Sequence, residues 1–209
     1  MAVTAQMVKE LREETGASVL GCKQALEQFD GDFEQAKAYL MEKGLASAKK
    51  KTERQANEGR IETYTHPGAR VGVMLELNCE TDFVADTDIF QELAHNLALH
   101  IAFANPQYLK IGDIPEDAIE AQKTLFEKDA RAEGKPDNII ERIVQGRLDK
   151  WYADVVLLEQ PYVKDGDLKV SDLIMQAIAT LKENIVLSRF ARYELGEGPL
   201  PATDGADEA

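Results

Sequence analysis

The sequence predicts an α+β protein, with a three-helix N-terminal module followed by a small antiparallel sheet covered by helices. Three observations carry this. Apolar residues recur at helical spacing between recognisable caps over residues 4–44. Two runs flanking Pro67-Gly68-Ala69 read as a β-hairpin, the second alternating Val71, Val73, Leu75 and Leu77 on one face. Helical periodicity then dominates until a β-rich stretch at 185–195 returns as a third strand.

The first helix begins at Thr4, a good N-cap, carries Met7, Val8 and Leu11 on one face, and ends at Gly16, which tolerates the left-handed conformation. Ser18 caps a second helix with the stripe Cys22, Ala25, Leu26 and Phe29, broken by Asp30-Gly31-Asp32. Asp32 and Gln35 form a capping box for a third helix, with Phe33, Ala36, Leu40 and Met41, stopping at Gly44. Leu20 falls off the second stripe and is expected to face solvent beside the Gly16 turn. Residues 46–55 favour helix, are polar and basic, and offer no apolar face, so they read as a linker.

In the body, Ile89, Leu93, Leu97 and Ile101 recur every four residues up to Asn105-Pro106. Further helices are expected from 116 to 134 and from Pro136 through Val155. A Pro- and Gly-containing connection follows over 160–170, and Ser171 is expected to cap a helix bearing Ile174, Ala177, Ile178 and Leu181. The division is therefore a module at 1–45, a basic helical linker at 46–60, an α+β body at 61–195 and a disordered acidic tail at 196–209.

Composition narrows the function classes. With 44% hydrophobic and 30% charged residues among 209, wholesale disorder is excluded. No apolar run reaches the roughly 20 residues that span a bilayer, and the start lacks a basic-then-apolar leader, so a cytoplasmic home and no membrane partner are expected. The net charge of −14 argues against direct nucleic-acid binding. Residues 1–60 hold ten basic and ten acidic residues, leaving 14 of the 24 basic and 28 of the 38 acidic ones beyond, so the whole excess lies in the body and tail.

Catalytic features are sparse. No Gly-rich phosphate loop follows a strand and no serine sits in a nucleophile elbow. His95 and His100 lie roughly 140° apart around one helix and do not converge on a metal. Cys79 ends an apolar strand and reads as packing; an enzyme using Cys79 with His66 or His95 is the least supported class. The segment Glu76-Leu77-Asn78-Cys79-Glu80-Thr81-Asp82-Phe83-Val84-Ala85-Asp86 is unusual, because a buried strand gives way to polar residues and then an aromatic. On pattern alone, Phe83 is a core residue beneath the turn.

That segment closely resembles the second signature of the elongation factor Ts family. The first signature is matched by Leu11-Arg12-Glu13-Glu14-Thr15-Gly16-Ala17-Ser18-Val19-Leu20-Gly21-Cys22-Lys23-Gln24-Ala25-Leu26. Gly134-Lys135-Pro136, Glu159-Gln160-Pro161-Tyr162-Val163 and Arg192-Tyr193-Glu194-Leu195-Gly196 match as well, so the resemblance spans residues 2–196.

The resemblance implies a ubiquitin-associated-like module and a sheet-and-helix core that both touch elongation factor Tu, with no cofactor of their own: GDP and magnesium belong to that partner. It implies that the pair matching Asp82 and Phe83, flanked by Thr81 and Val84, enters the partner near its magnesium site. Arg12, Val19, Leu20 and Lys23 match contact positions on the module, and Lys51 matches a basic contact in the linker. Gly21 and Asp86 depart from the family pattern, which usually has Asp at the first place and Lys, Arg or Asn at the second. Short members resemble half of a longer core completed by homodimerisation, some cross-linked through a cysteine in the last strand. Ala191 occupies the matching position, so a non-covalent homodimer is expected. The rival is a ubiquitin-associated-like module on an acidic protein-binding scaffold without exchange activity.

Overall fold

The computed structural model describes residues 3–198, and the remainder of the expected acidic tail, 199–209, lies outside the described residues. Helices α1 (Ala5–Thr15), α2 (Val19–Gln28) and α3 (Phe33–Lys49) start where their caps require. Thr4, Ser18 and Asp32 accept hydrogen bonds from the amides of Met7, Gly21 and Gln35, satisfying donors that the first turn leaves free. Gly16 closes α1 at φ 63°. Leu11, Cys22, Ala25, Leu26, Ala36 and Leu40 form a small core of their own, with Phe29 and Tyr39 edge to face at 5.6 Å on its flank.

The third helix corrects the expected boundary. It runs straight through Gly44 to Lys49, because Gly44 is a packing residue and not a stop. A Cβ there would stand 3.4 Å from the Cβ of Ala179, so the missing side chain lets α3 lie close against α8 (Val170–Leu181). The basic run expected as a helical linker is accordingly split. Lys49 closes α3, Lys50 to Arg54 form turns, and strand β1 already begins at Glu58. Ala48 is fully buried in the core of the body. The module is thus tied to the body through its longest helix.

The body is a three-stranded antiparallel sheet in the order β1 (Glu58–Thr65), β2 (Val71–Cys79), β5 (Val186–Glu194), as the pattern predicts. Its inner face, Val73, Leu75, Leu77 and Cys79, packs on α5 (Asp88–Ala104) and α8. Helix α5 shows why a four-residue repeat is an imperfect guide. Four residues advance the helix 40° beyond a full turn, so Ile89 and Ile101 differ by roughly 120° in direction. Ile89 is exposed and Phe90 takes the core position instead. Fully burying each such side chain contributes roughly 1.5–3 kcal/mol.

Between these elements, α6 (Glu116–Ala132) and α7 (Asp137–Val155) pair as a helical hairpin, with Pro136 as N-cap, above a third small core of Ile114, Val155 and Val156. The connection at 160–170 contains an unexpected hairpin, β3 (Pro161–Tyr162) and β4 (Asp165–Lys169). Ser171 is not a cap, since α8 already begins at Val170 and Lys169 caps it without a side-chain bond. No helix among the described residues is long and apolar enough to cross a membrane.

His100 is almost completely buried on α5 and joins this hairpin to the core. Its Nδ1 accepts from the Val163 amide at 3.2 Å, which leaves Nε2 to donate to Oε1 of Gln160 at 2.9 Å. Burial lowers its pKa from the ordinary value, opposed by the Gln160 bond. The unfolded chain therefore takes up the proton first, and the stability held here is complete above about pH 7 and declines as pH falls through about 6.5. We expect the urea midpoint to fall more between about pH 7.5 and pH 5.5 in the wild type than in His100→Asn; equal falls would contradict the assignment.

Candidate functional site

Strand β2 ends at Cys79, and the chain enters a single helical turn, α4 (Asp82–Ala85), capped by Thr81, whose Oγ1 accepts from the amide of Val84 at 3.4 Å. The two sides of this turn differ sharply. Ala85 is buried, and Val84 packs against the core of the body. Asp82 is exposed, and Phe83 is 82% exposed, with its amide donating to Oδ1 of Asp82 at 2.9 Å. The pattern-based expectation that Phe83 lies in the core is therefore wrong: the helical turn gives the inward positions to Val84 and Ala85.

The turn is held from outside its own sequence. Lys182 leaves α8 in the left-handed conformation, φ 64°, and turns Glu183 and Asn184 back toward the end of β2. The Glu183 carboxylate accepts three hydrogen bonds, from the Glu80 amide at 3.1 Å, the Thr81 amide at 3.0 Å and the Thr81 hydroxyl at 2.7 Å. In return, the Asn184 amide donates to Oε1 of Glu80 at 2.7 Å. The buried Asn184 side chain donates to the carbonyl oxygens of Thr52 and Arg54 at 3.3 and 2.6 Å, and Arg54 reaches the same Glu80 oxygen at 3.5 Å. One polar cluster thus joins the end of β2, the α8–β5 corner and the chain leaving α3.

Cys79 lies inside this arrangement, its thiol donating to the Thr81 carbonyl at 3.0 Å. Burial, reinforced by the negative charge of Glu183, pushes the thiol up to about 11. It is held protonated at neutral pH, which removes the thiolate that nucleophilic chemistry needs. His66 and His95 are engaged with Tyr64 and Glu62, respectively. No group of three or more His, Cys, Asp or Glu among the described residues could hold a metal.

The other candidate residues lie on the module or, for Lys51, just after α3. Val19 and Leu20 open α2 at 55% and 64% exposure, just after the Gly16 turn. Lys23 follows one turn on and lies 3.6 Å from Glu27; Arg12 is exposed on the last turn of α1. Lys51 is half-buried and donates to Ser47 at 3.2 Å. Residues 81–84 form one site, and Arg12, Val19, Leu20 and Lys23 belong to the module. The last turn of α8 links the two groups. A Cβ at Gly16 would stand 3.1 Å from Cγ2 of Thr180, so the α1–α2 turn rests on the same helix end whose following residues grip Thr81. Glu183 and Asn184 escaped the sequence reading. They stand about a hundred residues from the turn they hold, and a polar pair between helix and strand is no specific signal.

The family described as Elongation factor TS matches residues 3–197. The chain is 50% identical to a protein named Elongation factor Ts from Carboxydothermus hydrogenoformans, over 94% of this chain and 90% of that one. A protein of the same name from Coprothermobacter proteolyticus is 52% identical over 94% of this chain and its own full length, and one from Desulfitobacterium hafniense is 52% identical over 94% and 90%.

With Phe83 outside every core, Phe83→Ala should shift folding stability by no more than about 0.5 kcal/mol in thermal unfolding. A loss of about 3–5 kcal/mol, the cost of emptying a buried site, would contradict its placement.

Proposed function

The chain belongs to the elongation factor Ts family, and from that premise we propose that it is a guanine-nucleotide exchange factor for elongation factor Tu, acting by complex formation and breaking no bond. The observation that carries this is Phe83, a large apolar ring held in solvent on a turn whose backbone is fixed by the body. Exposed aromatics anchored on rigid supports make strong interface contacts because little conformational freedom is lost on docking.

In this reading, Phe83 wedges between partner side chains near the magnesium site, and Asp82 places a carboxylate beside it. A factor that binds the nucleotide-free partner more tightly than the GDP-bound one must, by linkage, weaken the partner's hold on GDP by the same factor. Thr81 and Val84 orient the wedge from inside the turn. Val19 and Leu20, flanked by Arg12 and Lys23, supply a second apolar contact with a basic rim, and Lys51 adds charge after α3. GDP and magnesium remain the partner's, and this chain brings no cofactor.

The sheet supports a second partner, another copy of this chain. Its outer face carries exposed Ile61, Met74, Val186 and Tyr193 around the Glu76–Arg189 ion pair at 2.6 Å. Two such faces meeting about a twofold axis would bury the apolar residues, in keeping with the homodimerisation that the resemblance to short family members implies. The register sets Ala191 opposite Met74 on this face, so the pairing has no thiol to cross-link. Light scattering at micromolar concentration should give the dimer mass, and Met74→Arg the monomer mass; a monomeric wild type would refute the pairing.

Stopped-flow release of fluorescent GDP from elongation factor Tu tests the exchange function. The wild-type protein should accelerate release, and Phe83→Ala should lose roughly tenfold to a hundredfold of that acceleration at unchanged melting temperature. Release unaffected by saturating wild-type protein would overturn the reading.

A further inference from the structure

We propose that Glu183 is a positioning residue for exchange, setting the direction in which the turn at 81–84 presents Asp82 and Phe83, and that Asn184 extends the same grip to the chain leaving α3. The proposal rests on the exchange reading for its functional half. Its structural half stands on the cluster itself.

The geometry separates this role from ordinary packing. A single-turn helix has too few internal hydrogen bonds to hold its own direction, so α4 needs an external reference. Three of its neighbours' polar groups find that reference in one carboxylate. The amides of Glu80 and Thr81 converge on Oε2 of Glu183, while the Thr81 hydroxyl takes Oε1. Thr81 is held on both sides, because its Oγ1 also accepts from the Val84 amide one residue past the ring of Phe83. Moving the carboxylate therefore moves the cap, and moving the cap swings the exposed ring. None of this requires Glu183 to touch a partner.

The second arm reaches the module side. Asn184 is buried, and each of its amide donors has a partner: the backbone N–H meets Glu80, and the side chain meets Thr52 and Arg54. Glu80 is shared between Asn184 and Arg54, so the residues after α3 and the turn at 81–84 are fastened to adjacent residues of one corner. The corner thereby fixes the spacing between Lys51, at the end of the module, and Phe83, on the body. A contact surface split between two parts of a chain needs such a fixed spacing if both halves are to dock together.

The test compares Glu183→Ala with Glu183→Gln in the full chain. Glutamine keeps one acceptor oxygen for the two amides and presents its NH2 group to the Thr81 hydroxyl, whereas alanine leaves all three donors without a protein acceptor. For Glu183→Ala we expect the amides of residues 80–85 to exchange hydrogen roughly tenfold or more faster, and the maximal GDP-release rate to fall roughly tenfold or more. The concentration giving half-maximal release should stay within about threefold, since the module contacts persist. Glu183→Gln should keep most of both properties. Assays are run well below each variant's melting temperature. Should Glu183→Ala not fold, Glu183→Asp, which withdraws the carboxylate by one methylene, replaces it in the same comparison. A full maximal rate in Glu183→Ala, or unchanged amide protection, overturns the proposal, as does a loss confined to the half-maximal concentration. If the wild type itself fails to release GDP, the exchange reading falls, and the amide exchange still decides whether Glu183 holds the turn.

Discussion

A carboxylate that receives three hydrogen bonds at the α8–β5 corner is the constraint on which the arrangement of the functional surface depends. Charge-assisted bonds of this kind are worth about 1.5–3 kcal/mol each, against the cost of drawing the carboxylate out of water. The corner itself carries strain, because Lys182 occupies the left-handed region without being glycine, at a cost of roughly 1–2 kcal/mol. The hydrogen bonds from residues 80 and 81, together with the Asn184 contacts to residues 52 and 54, offset that cost. Sheet, helix α8 and the chain from the module are joined at this one place.

Folding and partner contact are assigned to different side chains. Stability comes from Leu75, Leu77, Phe90, Leu97 and Ile178 in the body and from Leu11 and Leu26 in the module, all at or near zero exposure. The proposed contacts, Phe83, Leu20 and Val19, contribute almost nothing to either core. The division lets a large apolar group be changed without unfolding the chain. It also places Phe83 next to Val84, so that one turn serves both purposes on opposite sides.

Much of this was legible in the sequence because the signals are local. Thr4, Ser18 and Asp32 cap helices through bonds made within three residues, and Val71, Val73, Leu75 and Leu77 declare a strand with one buried face. Two of the misreadings share a cause, which is dependence on a partner element distant in the chain. Gly44 looks like a stop until α8 lies against it, and Ala48 looks like linker until the body's core surrounds it. Phe83 is the instructive case at the site. Hydrophobicity alone sends it inward, while the capped turn at Thr81 sends it out, and only resemblance to a known signature weighed the second against the first. The grip of Glu183 and Asn184 had no local signal at all, since its hydrogen-bond partners lie about a hundred residues or more away.

The central claim is that the corner acts through the exposed ring, and a double-mutant cycle on the maximal GDP-release rate addresses it directly. Glu183→Ala is measured in the wild-type background and again in Phe83→Ala. If Glu183 serves to aim Phe83, its substitution lowers the rate in the first background and leaves it nearly unchanged in the second, a coupling expected for two groups acting as one unit. Independent losses that multiply in the double variant would contradict the account.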